Sequence, residues 1–337
     1  MAVSTWELPA TSKNQSNAPV LAFDFGGTKL AAAVIDSHSG EIIAYQRQRT
    51  PARQGAQTSF DSIVQAGQAV LAESSIDRQA LLGIGISFGG PVSDDRQTVV
   101  RSLHIQDWDQ VDLPNQLSAI FDRPAYLEND GNAAALGEWR FGKGNQVNNM
   151  LYIQVSTGIG SGLILDHKLY RGSGLAGEFG HLTVLPDGPK CVCGKYGCVE
   201  SLASGWAIAR DGRLLLEKCP TDGLLHQLCQ GDPVQLDAEI VIQAYRRGDS
   251  SVRPLVEQAF TYLGIGIANA ISLLDPQIVV LGGGIIRSKD IIEPVLEAAL
   301  KRYCPPMFLS PPRFRIEYST LNGIETLLGA SQLPLGD

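Results

Sequence analysis

Three cysteines and a histidine stand close together in the run GEFGHLTVLPDGPKCVCGKYGCVE, residues 177–200. Three thiolates and one imidazole form a ligand set for tetrahedral zinc, so His181, Cys191, Cys193 and Cys198 are candidate metal ligands. Cys191 and Cys193 are only two positions apart, a spacing that would strain a disulfide between them. Gly194 and Gly197 can form the sharp turns of a short loop around an ion. Buried apolar cysteines, or disulfides in a secreted chain, are the alternatives. Glu178 and Glu200 bracket the run, so closing it on a cation would fix two carboxylates and an imidazole as a polar binding site. Cys219, Cys229 and Cys304 are scattered and read as interior residues.

Three further segments carry polar groups on glycine-rich turns or at a strand end. Asp24 precedes Gly26, Gly27, Thr28 and Lys29, whose amides, hydroxyl and ammonium could meet phosphate oxygens while the carboxylate holds hydrated Mg²⁺. Ser156–Gly162 (STGIGSG) is a second candidate phosphate cradle, with Thr157, Gly158 and Gly160 between two strands. Either could instead be a plain glycine hairpin. In Glu128-Asn129-Asp130-Gly131-Asn132 a strand end meets a helix start, where Asp130 could accept a proton from an attacking hydroxyl or simply cap the helix. Two look-alikes are rejected. Asp24-Phe25-Gly26 spells a protein-kinase triplet but has no catalytic-loop motif before it, and Gly137–Gly144 (GEWRFGKG) lacks the Ser or Thr of a Walker A loop.

The elements that must position these groups alternate between strand and helix. PVLAFDFGGTKLAAAVID (19–36) predicts a hairpin, followed by a strand over 41–49, a helix over 59–73 and a buried strand over 81–87 that ends in Phe88-Gly89-Gly90-Pro91. A helix over 109–121, a strand over 124–128 and an Ala-rich helix over 130–141 ending at Gly142 come next. MLYIQVSTGIGSGLILD (150–166) repeats the hairpin pattern of 19–36, which predicts an internal duplication. Helices over 238–247 and 254–274 lead to a strand over 277–281 that runs into Gly282-Gly283-Gly284. Strand-to-glycine junctions of this kind are where α/β folds bind ligands.

At 337 residues the chain suits two domains with separate cores. A net charge of −8, with Arg246-Arg247 as the densest basic pair, argues against a phosphate-backbone binder. Residues 1–18 read as a flexible tail without a secretory pattern, and no apolar run nears the ~20 residues that span a bilayer. A cytoplasmic, reducing location without nucleic-acid or membrane partners is the resulting expectation.

Taken together, DFGGTK (24–29), GGPV (89–92), ENDGNAAALGE (128–138), STGIGSG (156–162), GEFGH (177–181), CVCGKYGCVE (191–200) and LGGG (281–284) resemble the ROK family of sugar kinases and related repressors. The resemblance spans about residues 19–330 and is most specific at Cys-x-Cys-Gly-x-x-Gly-Cys-x-Glu. It implies an α/β, two-lobed, actin-like (ribonuclease H-like) ATPase fold with duplicated mixed sheets and ATP in the cleft between them. The lobes would be 19–128 plus a C-terminal helix over about 323–337, and 129–322 with the zinc loop 181–198. By the same resemblance, Asp24, Gly26, Gly27, Thr28 and Lys29 form the first phosphate motif, Thr157, Gly158 and Gly160 the second, and Gly282, Gly283 and Gly284 the adenosine loop. Asp130 becomes the base acting on a sugar hydroxyl, and Gly90, Asn129, Glu178, His181 and Glu200 the sugar contacts, with the other nitrogen of His181 on a structural zinc.

The implied reaction is ATP- and Mg²⁺-dependent phosphorylation of a hexose at O6, glucose first, with mannose, fructose or an N-acetylated hexosamine beside it. A homodimer or homotetramer is implied as well. The family's regulators carry a helix-turn-helix domain ahead of this core, and the first 18 residues here have neither helical periodicity nor basic clustering, which favours an enzyme. Two departures stand out: Phe88-Gly89 where members often have Ala-Pro, and Ser156 where they commonly have Gly. A third, His104 in RSLHIQDW where many relatives carry Asn, bears on the sugar's identity.

Overall fold

The structure, a computed structural model, describes residues 18–102, 105–220 and 223–336. His104 and residues 1–17 of the expected tail lie outside the described residues. Ala18, the last residue of that tail, is buried, and its carbonyl accepts hydrogen bonds from the amide and hydroxyl of Ser37.

The described strands form two five-stranded mixed sheets. The first contains β1 (Pro19–Phe25), β2 (Lys29–Asp36), β3 (Ile42–Arg49), β4 (Gly83–Phe88) and β5 (Ala125–Asn129), in the order β3-β2-β1-β4-β5. The second contains β6 (Met150–Val155), β7 (Ile159–Leu165), β8 (Lys168–Leu169), β9 (Ile278–Gly282) and β10 (Arg315–Tyr318). Its order is β8-β7-β6-β9-β10. Each sheet thus opens with an antiparallel meander and continues with two strands parallel to the first, so the predicted duplication holds at the level of topology.

The helices are α1 (Ala56–Ser74), α2 (Leu113–Phe121), α3 (Asp130–Phe141), α4 (Val199–Ala203), α5 (Gly205–Leu216), α6 (Leu224–Leu228), α7 (Ala238–Arg246), α8 (Arg253–Leu274), α9 (Lys289–Tyr303), α10 (Pro306–Leu309) and α11 (Glu325–Ala330). The strand alternation explains the layering. In β1 and β2, Leu21, Phe23, Phe25, Leu30 and Val34 face one core with α1 and α2 residues, while Ala22, Ala31 and Ala33 face α11. In β6, Leu151, Ile153 and Val155 join the core around α8, and Met150 and Tyr152 join Ala134 and Ala135 of α3.

Helices α3 and α11 therefore lie back to back between the sheets, close enough that only glycine fits at the contacts. A Cβ on Gly329 would stand 1.6 Å from the Ala133 carbonyl oxygen, and one on Gly137 2.1 Å from that of Glu325; α11 also packs on β4, where a Cβ on Gly85 would meet the Ala330 carbonyl oxygen at 1.8 Å. Such backbone-to-backbone packing lets two short helices join two lobes.

Element boundaries moved for identifiable reasons. α2 starts at Leu113 rather than 109 because Asp112 caps it, accepting from the Asn115 amide. α9 lies outside the expected elements; it runs unbroken through Pro294, a residue that usually breaks helices. The C-terminal helix is shorter than expected, covering Glu325–Ala330 and followed by a 3₁₀ turn at Leu333–Leu335. No helix among the described residues is long and apolar enough to cross a membrane.

Candidate active site

Strand register brings the candidate groups of the first sheet to one edge. Asp24 pairs in register with Ser87 and Ser87 with Glu128, and one step on, Phe25 aligns with Phe88 and Phe88 with Asn129. The turns after β1, β4 and β5 consequently leave the sheet side by side, at the carboxyl ends of parallel strands. The Gly89 amide donates to the Phe25 carbonyl (2.9 Å), and a Cβ on Gly89 would sit 3.2 Å from Gly26 Cα and 3.7 Å from Asp130 Oδ2. Phe25, Phe88 and Trp108 pack beneath these turns, with ring centroids 4.6 Å apart for Phe25 and Trp108.

Asp24 is 5% exposed, and its carboxylate is held at Oδ2 by Lys29 Nζ (2.8 Å) and by the Thr326 hydroxyl (2.9 Å). Lys29 is thus committed to Asp24 and not directed freely at a phosphate. Gly26 donates its amide to the Lys29 carbonyl, which closes the turn, and a Cβ there would find nothing nearer than 4.0 Å. The turn is open toward the cleft.

Asp130 is the first residue of α3 and not its cap. That role belongs to Asn129, whose Oδ1 accepts from the Gly131 (2.9 Å) and Asn132 (3.2 Å) amides. Asn129 Nδ2 donates to the Gly90 carbonyl (3.2 Å) and to Asp130 Oδ1 (3.2 Å), so Gly90, Asn129 and Asp130 form one bonded unit. Removal of water, then the negative charge of Asp24 and more weakly that of Glu178, push the Asp130 carboxyl up to about 7, against the stabilising Gly131 amide. A carboxylate tuned to neutrality at a strand-to-helix junction can take a proton from a hydroxyl.

The second sheet presents its turns to the same place. Ser156 donates to the Gly158 carbonyl (2.9 Å), closing the β6–β7 turn, and a Cβ on Gly131 of α3 would stand 2.4 Å from the Ser161 carbonyl oxygen. The second phosphate segment therefore abuts the start of α3. Gly282 ends β9 at the corresponding edge, in register with Gln154, and Gly283 and Gly284 follow it. They are not equivalent: Tyr152 fills the space at Gly282, Val155 backs Gly283 (φ +91°), and only Gly284 faces open space.

The cysteine loop brings its four candidate ligands together. Gly194 (φ +94°) and Gly197 (φ +66°) turn the chain, and a Cβ on Gly197 would collide with the Leu185 carbonyl oxygen at 1.5 Å. One ligand atom from each of His181, Cys191, Cys193 and Cys198 lies within 4.8 Å of the others. His181 Nδ1 is 3.7 Å from Cys191 Sγ, and Cys193 Sγ is 3.7 Å from Cys198 Sγ. A tetrahedral zinc with arms near 2.3 Å has sulfur–sulfur edges of about 3.8 Å, so the donor set fits that ion. Burial pushes the Cys191 thiol up to about 12, which means a cation is needed to hold its thiolate at neutral pH. The other ring nitrogen, Nε2, lies 3.8 Å from Glu178 Oε2. Glu200 Oε2 accepts the Ile159 amide (3.0 Å) and lies under Gly158, while Oε1 is 3.9 Å from Cys191 Sγ.

Some functional neighbours had no signal in the sequence. Thr326 reaches Asp24 from 302 positions away. The Tyr152 hydroxyl, which lies against Gly282, donates to Glu325, and the Ser319 hydroxyl donates to Glu138, whose burial holds it above the usual carboxylate range. Arg171 pairs with Glu128.

A profile of the ROK family matches residues 20–336. The chain belongs to the ROK family. It is 34% identical to a glucokinase of Streptomyces coelicolor over 282 residues, covering 83% of this chain and 86% of that one. A solved ROK family glucokinase from Streptomyces griseus, in complex with glucose and AMPPNP, matches with a TM-score of 0.78 and 32% identity across 94% of this ROK chain and 99% of its own. A xylose repressor of Caldicellulosiruptor bescii is 30% identical over 262 residues, 77% of this chain and 64% of the repressor. The fold is thus the actin-like α/β ATPase fold.

Proposed function

We propose that this ROK protein is an ATP- and Mg²⁺-dependent hexose kinase that phosphorylates O6, with glucose as the first acceptor to try. The observation that carries this reading is Asp130: a carboxyl pushed up to about 7, bonded to Asn129 and placed where the glycine turns of both sheets meet. Phosphoryl transfer needs little covalent help from protein, so positioning and charge neutralisation dominate. Asp130 accepts the proton of the attacking hydroxyl, while Asn129, the Gly90 backbone, Glu178, His181 and Glu200 orient the sugar. The backbone turns at Gly26–Thr28 and Thr157–Gly160 cradle phosphates, and Gly284 gives the adenosine room. Mg²⁺, when bound through Asp24, neutralises charge on the transferring group. The likeness to glucokinases, one of them holding glucose and AMPPNP, supports both substrates.

Zinc in the His181, Cys191, Cys193 and Cys198 cluster is structural in this scheme. It shapes the acceptor pocket through His181 and Glu200 and takes no part in transfer. The lobes divide near Glu128–Asn129, with α11 returning to the first, and a cytoplasmic homodimer or homotetramer belongs to the same proposal. A coupled ADP-release assay over glucose, mannose, fructose and N-acetylhexosamines, with ATP and with polyphosphate as donor, tests it. Turnover of one hexose with ATP is the expected result, and no turnover with any acceptor would overturn it.

A further inference from the structure

Glu128, next to last in β5, has 1% of its surface exposed, yet it stands beside the groups just described and contacts no substrate in that scheme. Its Oε1 accepts the Asn129 amide (3.0 Å) and the Asn132 side-chain amide (3.0 Å). Its Oε2 accepts Arg171 Nε at 2.7 Å. A carboxylate so buried needs a charged partner, and removing that partner leaves it stranded. Glu128 therefore holds the first turn of α3 with one oxygen and Arg171 with the other.

Arg171 opens the segment that leads to Glu178 and His181. Its carbonyl accepts the Gly174 (2.9 Å) and Ala176 (3.1 Å) amides, which folds the segment on itself. The far end is pinned too: the Ser161 hydroxyl donates to the Gly177 carbonyl and accepts the Phe179 amide. A cavity of about 180 Å³ lies alongside, lined by Val92, Ser93, Asp94 and Ser173 among others, and both Glu128 and Arg171 border it, so their ion pair bridges a seam that is not fully packed.

We propose that Glu128 and Arg171 are positioning residues for phosphoryl transfer. Together they lock the start of α3, and hence Asp130, to the loop that carries Glu178 and His181, so that base and acceptor share one frame. The proposal rests on the hexose-kinase reading. It differs from a packing role in what it moves: the distance between base and bound hydroxyl, and with it the turnover number, ahead of nucleotide affinity.

The experiment compares wild type with Glu128→Gln, Arg171→Met, Arg171→Lys and the double variant Glu128→Gln/Arg171→Met, on the hexose the wild type accepts. An error of 1 Å in placement can cost about 10²-fold, so kcat should fall by about 10- to 100-fold in each of the first two. The KM for ATP should stay within about twofold. The double variant should lose no more than the worse single one, as members of one unit do. Arg171→Lys, which keeps the charge, should recover most of the loss. Thermal melts check folding, and if Glu128→Gln does not fold, the partly exposed Arg171 carries the test alone. Unchanged kcat, losses that multiply in the double variant, or Lys no better than Met would each sink the proposal while leaving the kinase reading intact. Absence of any wild-type turnover would remove both.

Discussion

The β1–β2 and β6–β7 hairpins occupy the same place in two sheets of the same topology, but they are built differently. The first holds a buried carboxylate paired with Lys29 and Thr326, beside a turn with free space at Gly26. The second has no charged side chain of its own; its Ile159 amide is held by Glu200, which comes from the end of the cysteine loop. Duplication supplied two open backbone turns facing one cleft. Divergence put a buried carboxylate in one and tied the other to the cysteine loop through Glu200. The first hairpin's chemistry is thus local, whereas the second's depends on a distant loop.

The sharpest break would come at the residue both hairpins serve. Asp130→Asn should lower kcat by about 10²- to 10⁴-fold with sugar affinity near wild type, measured by ADP release and calorimetry. Because burial raises this carboxyl to about 7 from an ordinary 3.8, its ionisation opposes folding: the wild type loses stability as pH rises toward 7, and the Asn variant does not. Asp130→Asn should therefore melt higher than wild type at pH 8, with the gap closing toward pH 4. The wild-type rate should climb with pH through an acid limb at or somewhat below about 7, since Mg²⁺ near Asp24 removes one cause of the shift.

The local hairpin breaks next. Asp24→Asn should cut kcat by about 10²-fold and raise the Mg²⁺ needed for half-maximal rate, as losing a preorganised charge contact does. Sugar affinity should hold.

Breaking the dependent hairpin's support calls for the metal. Cys193→Ser, or a strong chelator, should remove one zinc per chain by elemental analysis, lower Tm and raise the KM for sugar by about tenfold or more. If the second hairpin depends on this loop, the KM for ATP should rise as well, which Asp24→Asn does not require. Properly folded protein without zinc would refute the loop's metal role.

The smallest effects distinguish the turns themselves. Gly26→Ala meets no neighbour and should leave Tm within about 1 °C while raising the KM for ATP a few-fold, because the methyl occupies space meant for phosphate. Gly158→Ala would press on Glu200 Oε2 at 2.8 Å and should raise the KM values of both ATP and sugar. Equal effects of the two substitutions would erase the contrast between the hairpins.

Much of this was readable in one dimension. The alternation in β1, β2, β6 and β7 and the glycines between them marked both hairpins, and His181, Cys191, Cys193 and Cys198 were close enough in sequence to imply one cation. Other features were hidden by their sequence separation. Asp130 could be a base or a helix cap until Asn129 was seen in the capping position. The pairing of Lys29 with Asp24 was not legible, and of Gly282, Gly283 and Gly284 only Gly284 has open space. Thr326 and Arg171 could not be found in advance, because neither sits in a motif and each meets a partner far along the chain.

What the sequence by itself determined is therefore local: which residues turn, which alternate, and which thiols and imidazole can share an ion, because those properties depend on neighbours a few residues apart. The tertiary structure decided where Asp130 stands relative to Asp24, Glu178 and the two turns, and so its affinity for a proton. That quantity depends on excluded water and on charges delivered by both sheets, and it exists only once α3 and α11 have packed the lobes together.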